Sequence, residues 1–293
     1  MKTPGSPRSL KLGLVQLAAS DDPQANLKHT EDAVRQAAAQ GARLVCLQEL
    51  FRTRYFAQVE DAERFDLAEP ATGPTAQRFA ELARELGCVL ILPLFERRAP
   101  GVYHNSALVL DADGSTAGLY RKMHIPDDPL YYEKFYFSPG DNGFFAVDTA
   151  VGRIGVLICW DQWFPEAARL TALDGAEILF YPTAIGWLDG ESDAENHAQR
   201  DAWLTAQRAH AIANGVFVAA ANRVGREERL QFWGSSFVAD PQGIVLAQAS
   251  DREEEVLVVD CDLRRVEQLR REWPFLRDRR IDAYGDLLAR YRR

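Results

Sequence analysis

The chain of 293 residues carries 34 Lys and Arg side chains against 43 Asp and Glu side chains, for a formal net charge of −9. Its 47% hydrophobic and 26% charged fractions are ordinary for a globular protein, which excludes a disordered, collagen-like or coiled-coil chain. The acidic balance argues against nucleic acid as a partner, since phosphate binding needs clustered cations, and no apolar run reaches the roughly 18 residues of a membrane span.

The first half of the chain alternates strand and helix patterns. Residues 1–10 are expected to form a loose lead-in without the apolar segment of a secretory signal, which favours a cytoplasmic location. Segments of strand length and helix length then follow in turn: Leu12–Leu17, Pro23–Gln40, Arg43–Gln48, Pro74–Leu86 and Cys88–Phe95. A hairpin is predicted over Ser106–Leu110 and Ser115–Tyr120. This alternation is typical of a parallel sheet whose faces are covered.

The second half repeats this order after a long segment, Arg121–Gly143, that has no clear periodicity. Predicted strands and helices again alternate: Arg153–Cys159, Pro165–Asp174, Ala176–Tyr181, His197–Asn214 and Val216–Ala221. A hairpin turn follows at Asp240–Gly243, and an edge strand at Glu255–Asp260. From about residue 264 to residue 293 we expect a basic helix and a tail, either at a subunit interface or packed on its own chain.

Glycines and turns match between the two halves. Gly13 corresponds to Gly155, and the pattern Ser-x-x-Val-x-Asp-x-x-Gly occurs both at Ser106–Gly114 and at Ser235–Gly243. Chance recurrence is the alternative, but the order of several elements repeats as well. The sequence therefore predicts one α/β domain over residues 1–293, a four-layer αββα sandwich with an internal pseudo-twofold.

Cys159 is the first candidate for chemistry. It ends an apolar strand and precedes a helix start, at the sheet edge where α/β proteins bind ligands. The helix N-terminus is expected to lower the pKa of this thiol and so to favour the reactive thiolate. The alternative is an inert buried thiol, which suits Cys46, Cys88 and Cys261. The wide cysteine spacing makes no disulfide framework and fits a reducing compartment.

A carboxylate and a lysine are the candidate partners of this thiol, because no histidine pattern indicates a base or a zinc site. Glu49 follows the strand Arg43–Gln48 at the same sheet edge as Cys159, where apolar surroundings suit a proton acceptor. Lys122 follows the hairpin and is suited to hold a developing oxyanion. The alternatives are a solvated loop glutamate and an ordinary surface lysine.

Three motifs around these residues resemble the nitrilase (carbon–nitrogen hydrolase) superfamily: Gln48-Glu49-Leu50, Tyr120-Arg-Lys122-Met-His-Ile-Pro126 and Ile158-Cys159-Trp-Asp161. The resemblance covers nearly the whole chain and implies an αββα fold. It also implies a catalytic triad of Glu49, Lys122 and Cys159, supported by Glu133 in the motif Glu-Lys-Phe-Tyr-Phe. It implies no metal or organic cofactor, and a homo-oligomer of two or more copies.

Further motifs resemble the branch of this superfamily that hydrolyses N-carbamoylputrescine: His124–Pro129, Glu133–Asp141, Cys159–Arg169, Tyr181–Gly186 and Phe275–Arg280. The resemblance implies attack of the cysteine on a small cationic carbamoylated amine. Ammonia, carbon dioxide and putrescine are the implied products, in a step of polyamine synthesis from agmatine. The segment Trp187–Glu195 departs from the plant form of the motif and is expected to form a pocket rim.

The ammonium end of such a substrate needs aromatic faces and a carboxylate. The candidates are Tyr131, Trp160 and Trp187 for the faces, and Asp189 or Glu191 for the charge. Each has an ordinary alternative in core packing or in a solvated loop. A β-ureidopropionase or an N-carbamoyl-amino-acid amidase shares the chemistry but needs cations in its pocket, which the acidic rim does not supply. Another amidase or nitrilase of the superfamily, a non-catalytic binding protein and a metal-dependent amidohydrolase are the remaining alternatives.

Overall fold

Residues 9–292, the part that the computed structural model describes, form three β-sheets and six α-helices. The strands are β1 (Ser9–Gln16), β2 (Leu44–Cys46), β3 (Val89–Ala99), β4 (Val102–Leu110), β5 (Thr116–Arg121), β6 (Ala146–Thr149), β7 (Gly152–Val156), β8 (Ile178–Thr183), β9 (Gly186–Leu188), β10 (Phe217–Asn222), β11 (Val224–Glu227), β12 (Leu230–Trp233), β13 (Phe237–Ala239), β14 (Val245–Gln248) and β15 (Glu255–Asp262). The helices are α1 (Pro23–Ala39), α2 (Pro74–Leu86), α3 (Glu133–Tyr136), α4 (Pro165–Leu173), α5 (Asp193–Asn214) and α6 (Arg264–Glu272).

The two large sheets have the same topology. One has the strand order β15-β1-β2-β3-β4-β5, and the other has the order β6-β7-β8-β10-β13-β14. In each sheet the first pair is antiparallel, the next two pairs are parallel and the last two are antiparallel. The predicted duplication is therefore confirmed in the topology, with β15 and β6 as the corresponding edge strands.

The sheets pack face to face, with helices on their outer faces. Successive side chains of a strand point to opposite faces, so Leu44 belongs to the apolar cluster that also holds Ile178 of the other sheet. Its neighbour Val45 packs instead in the cluster that holds Val34 of α1 and Phe79 of α2. Helices α4 and α5 contact the second sheet through β8 and β10. These layers are the αββα sandwich that the sequence predicts.

The matched glycines lie where a helix approaches a strand closely. A Cβ atom on Gly13 would meet the Cβ of Ala37 in α1 at 3.1 Å, and one on Gly155 would collide with Thr171 in α4. The close approach of a helix therefore requires a glycine at this strand position in both halves, and the space for a Cβ atom is smaller at Gly155 than at Gly13.

Several element boundaries differ from the sequence prediction. Strand β1 begins at Ser9, so the end of the predicted lead-in is strand, while residues 1–8 lie outside the described part. Helix α5 begins at Asp193, earlier than predicted, because Ser192 and Glu195 form a capping box. Strand β6 and the small sheet of β9, β12 and β11 were not predicted. Within residues 9–292, no helix is both long and apolar enough to cross a membrane.

Candidate active site

Cys159 lies in a tight turn after β7. The backbone N–H of Leu157 still donates to the carbonyl of Phe180 in β8 at 2.9 Å, and the chain then forms a single 3-10 turn over Cys159–Trp163. The φ angle of Cys159 is +42°, in the left-handed region that is costly for a residue with a side chain. This strained turn brings the thiol to the wall of a cavity.

Lys122 links two buried carboxylates beside this thiol. Its Nζ donates to Oε1 of Glu49 at 2.8 Å and to Oε2 of Glu133 at 2.7 Å. Glu49 comes after β2, Lys122 directly after β5, and Glu133 at the start of α3. Cys159 lies close enough to all three for their charges to act on the pKa of its thiol. The structure thus brings together the four residues that the sequence analysis names as catalytic.

The two carboxylate oxygens of Glu49 have different surroundings. Oε1 accepts hydrogen bonds from Nζ of Lys122 and from Nδ2 of Asn105, the latter at 2.7 Å. Oε2 is fully enclosed and has no hydrogen-bond partner in residues 9–292. Unpaired buried acceptors are costly and uncommon. One oxygen of Glu49 is therefore fixed in position, and the other is free to accept a proton.

The thiol of Cys159 is protonated at rest. Burial raises its pKa well above the usual value, the Glu49 carboxylate raises it further, and Lys122 opposes both. The predicted lowering of this pKa by a helix N-terminus was wrong, because α4 begins only at Pro165, beyond the 3-10 turn. A reaction that uses this sulfur as a nucleophile therefore needs a base to take its proton.

Burial and neighbouring charges together set the protonation states of Lys122 and Glu133. Burial alone would lower the pKa of Lys122, but Glu133 and Glu49 outweigh it and raise that pKa above the ordinary value. Burial raises the pKa of Glu133 to about 7, although the charge of Lys122 opposes this. Lys122 is therefore a permanent cation at neutral pH, while Glu133 titrates close to neutrality.

Three residues that the sequence analysis did not identify hold these groups in place. Asn105 fixes Glu49, and the hydroxyl of Tyr55 donates to Oε1 of Glu133 at 2.7 Å. The buried Arg223 donates to the backbone carbonyls of Glu49 and of the next residue, at 3.0 and 2.9 Å. Asn105 directly precedes the predicted hairpin strand Ser106–Leu110, so its position in the sequence could have placed it near this site. No local sequence pattern indicates Tyr55 or Arg223, because their contacts join distant parts of the chain.

A buried carboxylate, Asp161, connects the cysteine turn to the lysine segment. Its Oδ2 accepts from the backbone N–H of Ile158 at 2.9 Å and from the hydroxyl of Tyr120 at 2.8 Å. Its Oδ1 accepts from the backbone N–H of His124 at 3.0 Å and lies 2.7 Å from Nδ1 of the same residue. Tyr120 and His124 lie on either side of the lysine, and Ile158 directly precedes the cysteine. Asp161 therefore fixes the two segments relative to each other.

The cavity at the thiol has a volume of about 540 Å³. Its wall is mostly aromatic and aliphatic, with a few polar groups: Pro126, Asp128, Pro129, Tyr131, Cys159, Trp160, Trp163, Ala184, Ile185, Gly186, Leu188, Glu191, Gln199, Ala202 and Trp233. This composition is common for pockets that bind small molecules. Across residues 9–292, no three His, Cys, Asp or Glu side chains are grouped so that they would hold a metal ion.

The predicted substrate-binding residues divide between the cavity wall and its surroundings. Tyr131, Trp160 and Glu191 line the cavity. Trp187 is not part of the wall, because it packs against Trp233 and donates its ring N–H to the carbonyl of Asn196 at 3.0 Å.

Asp189 also lies outside the cavity wall. Its carboxylate accepts two hydrogen bonds from Arg226, at 2.7 and 2.6 Å. The prediction that Asp189 contributes charge to the pocket is therefore wrong, because a surface ion pair already holds it.

Comparison with known proteins identifies the family. The profile of the carbon–nitrogen hydrolase family matches residues 11–271. The chain is 45% identical to the N-carbamoylputrescine amidase of Arabidopsis thaliana, over 99% of this chain and 98% of that protein. It is 40% identical to the citrullinase of Francisella tularensis, over 97% of this chain and 99% of that protein. The crystal structure of a carbon–nitrogen hydrolase from Helicobacter pylori G27 superposes with a TM-score of 0.94 at 51% identity, covering 97% of this chain and 100% of that chain. Together with the sandwich fold and the three motifs, these relatives show that the chain belongs to the carbon–nitrogen hydrolase (nitrilase) family.

Proposed function

We propose that this protein hydrolyses the carbamoyl C–N bond of N-carbamoylputrescine and so forms ammonia, carbon dioxide and putrescine. The observation that carries the proposal is the charge of the cavity at Cys159. Asp128 and Glu191 contribute two carboxylates to its wall, and no Lys or Arg of residues 9–292 lines it. Such a cavity favours a cationic substrate over an anionic one. The plant relatives that are named N-carbamoylputrescine amidases support the same substrate.

In the proposed first step, Oε2 of Glu49 takes the proton of the Cys159 thiol while the sulfur bonds to the carbamoyl carbon. Nζ of Lys122 and the backbone N–H of Trp160 stabilise the oxyanion that forms, and one such donor contributes roughly 10²–10³ in rate. Glu49 then protonates the departing nitrogen. The bond between the carbonyl carbon and the unsubstituted nitrogen breaks, ammonia leaves, and the sulfur retains the alkylcarbamoyl group as a thiocarbamate.

In the proposed second step, Glu49 accepts a proton from water while the water oxygen bonds to the carbonyl carbon of the thiocarbamate. The C–S bond breaks, the sulfur of Cys159 regains a proton, and the released carbamate loses carbon dioxide to leave the free amine. Glu133 acts as a positioning residue, since its 2.7 Å hydrogen bond holds Lys122 in both steps. Neither step uses a metal ion or an organic cofactor.

Ammonia release from a panel of purified substrates tests this function. The panel contains N-carbamoylputrescine, citrulline, N-carbamoyl-β-alanine and an unsubstituted short amide. We expect kcat/KM to be at least about tenfold higher for N-carbamoylputrescine than for each of the others. A higher value for N-carbamoyl-β-alanine or the amide would refute the cationic substrate. A higher value for citrulline would favour the activity for which the Francisella relative is named.

We also propose that residues 1–293 form a single domain and that copies of the chain assemble into a homo-oligomer in the cytoplasm. Apolar side chains exposed on α4, such as Leu170 and Leu173, and in the tail, such as Trp273 and Phe275, support assembly. The four cysteines are free thiols, which suits a reducing compartment. Light scattering during gel filtration tests the assembly, and a monomeric mass would refute it.

A further inference from the structure

One carboxylate on the cavity wall has an oxygen without a partner. Asp128 is half-buried, lies between β5 and α3, and lines the same cavity as Cys159. Its Oδ1 is enclosed by protein, yet no residue of the described chain forms a hydrogen bond with it. An enclosed carboxylate oxygen normally accepts hydrogen bonds, preferably from a charged donor. The protein therefore compensates the charge of this carboxylate only in part, and a cationic ligand in the cavity would be stabilised beside it.

The backbone around Asp128 is fixed before any ligand arrives. Its carbonyl accepts the backbone N–H of Tyr131 at 2.9 Å. The hydroxyl of Tyr131 accepts from the N–H of Gly186 at 3.0 Å and donates to the carbonyl of the same residue at 3.2 Å. The carboxylate thus lies on a turn that is attached to the opposite half of the molecule. A binding group held in this way loses little entropy when it engages a ligand.

The second carboxylate of the wall already has donors for both of its oxygens. Oε1 of Glu191 accepts from Nε2 of Gln199 at 2.8 Å, and Oε2 accepts from the backbone N–H of Leu188 at 2.9 Å. These bonds hold the β9–α5 connection in shape. Glu191 therefore adds negative charge to the cavity, but its hydrogen-bonding capacity is used far more fully than that of Asp128.

No Lys, Arg or His of residues 9–292 forms an ion pair with Asp128. Burial raises the pKa of its carboxyl, and the most prominent cation that opposes this is Lys122, which is already bound to Glu49 and Glu133. Three indole rings, those of Trp160, Trp163 and Trp233, line the same cavity. Aromatic faces together with a carboxylate are the environment that binds an alkylammonium group.

We propose that Asp128 binds the terminal ammonium of the substrate and thereby selects carbamoylated diamines over neutral and anionic carbamoyl compounds. This inference rests on the proposed function, since it assigns the far end of that substrate. With the carbamoyl group at Cys159, the alkyl chain lies along the apolar wall and the ammonium donates to the carboxylate of Asp128. Glu191 contributes to the negative potential but does not receive the ammonium directly.

Three substrates of equal length test this assignment. N-carbamoylputrescine carries an ammonium at its end, pentylurea carries a methyl group in the same place, and 5-ureidopentanoate carries a carboxylate. In Asp128→Asn we expect kcat/KM for N-carbamoylputrescine to fall by about 10- to 100-fold, the loss expected for a hydrogen bond to a charged group. The value for pentylurea should change less than about threefold, so the preference for the ammonium collapses. Because the ratio is measured within one variant, it does not depend on how much of that variant is folded.

Three further variants serve as controls. Asp128→Glu keeps the charge and should keep most of the preference for the ammonium. Asp127→Asn changes the exposed neighbour outside the cavity wall and should leave the ratio unchanged. Glu191→Gln removes the second charge of the wall and should lower the preference less than Asp128→Asn does.

The outcomes separate this inference from the proposed function. If the wild-type enzyme prefers N-carbamoylputrescine and Asp128→Asn keeps that preference, the assignment of Asp128 is wrong while the function stands. Equal losses on N-carbamoylputrescine and pentylurea would also overturn it, because Asp128 would then not discriminate between them. If the wild-type enzyme prefers pentylurea or 5-ureidopentanoate, the proposed function fails, and the assignment fails with it.

Discussion

Replacing Glu49 by Gln removes the proposed base and leaves the shape of the site nearly unchanged. The amide oxygen takes the place of Oε1, because the reverse orientation would direct an NH₂ group at the donors of Lys122 and Asn105. An NH₂ group then stands where the unpaired Oε2 was, and it has no lone pair available for the thiol proton. Loss of a general base lowers the rate by roughly 10²–10⁴, or about 3–5 kcal/mol in activation free energy. Burial, the largest cause that raises the pKa of the thiol, is unchanged in this variant.

The assay is ammonia release at saturating and limiting N-carbamoylputrescine, which separates kcat from KM. We expect Glu49→Gln to lower kcat with little change in KM, since the base acts on the reaction and not on binding. The fold should persist, because Lys122 keeps its hydrogen bond to Glu133 at 2.7 Å. A Glu49→Gln variant whose kcat lies within tenfold of the wild type would refute the role of Glu49 as the base.

Three further predictions concern the support of the site. Asp161→Asn weakens the connection between the cysteine and lysine segments and should lower the free energy of unfolding by about 1.5–3 kcal/mol, measured by urea denaturation; an unchanged midpoint would contradict it. Burial raises the pKa of Glu133 from 4.5 to about 7, so its contribution to the free energy of unfolding should fall by about 3 kcal/mol as the pH rises across that interval. Glu133→Gln should remove this part of the pH dependence of stability. An identical slope of stability against pH in both proteins would contradict the raised pKa. Gly155→Ala should lower the free energy of unfolding by about 1–3 kcal/mol, and Gly13→Ala should lower it less, as measured by thermal denaturation. A larger loss for Gly13→Ala than for Gly155→Ala would contradict the packing described.

The catalytic candidates are predictable from the sequence because each follows a recognisable element. Glu49 comes after a short apolar strand, Lys122 after a hairpin and Cys159 after a strand that precedes a helix. Carboxyl ends of parallel strands meet at one edge of a sheet, so residues that are far apart in the chain converge there. The duplication was visible for a similar reason, because the glycine and turn patterns recur in the same order in both halves.

The surroundings of these residues are not predictable in the same way. The pKa of the Cys159 thiol depends on burial by side chains from several elements, and burial outweighs any effect of the later helix. Arg223 reaches the Glu49 turn across 174 positions of the chain, a contact that no local pattern indicates. Of the two acidic residues predicted for the pocket, Asp189 was misplaced for the same reason, since it pairs with Arg226 of β11, while Glu191 lies on the cavity wall. Tertiary contacts decide which acidic residues remain available to a ligand.

The proposed mechanism requires that the sulfur of Cys159 forms the bond to the carbamoyl carbon. Ammonia release by Cys159→Ala, compared with Cys88→Ser, tests this most directly, because the control changes a thiol that lies away from the cavity and donates to the backbone carbonyls of Ala42 and Leu86. We predict that Cys159→Ala binds N-carbamoylputrescine but releases no ammonia above the uncatalysed rate, while Cys88→Ser retains the wild-type rate. Ammonia release by Cys159→Ala at a rate close to that of the wild type would contradict the account.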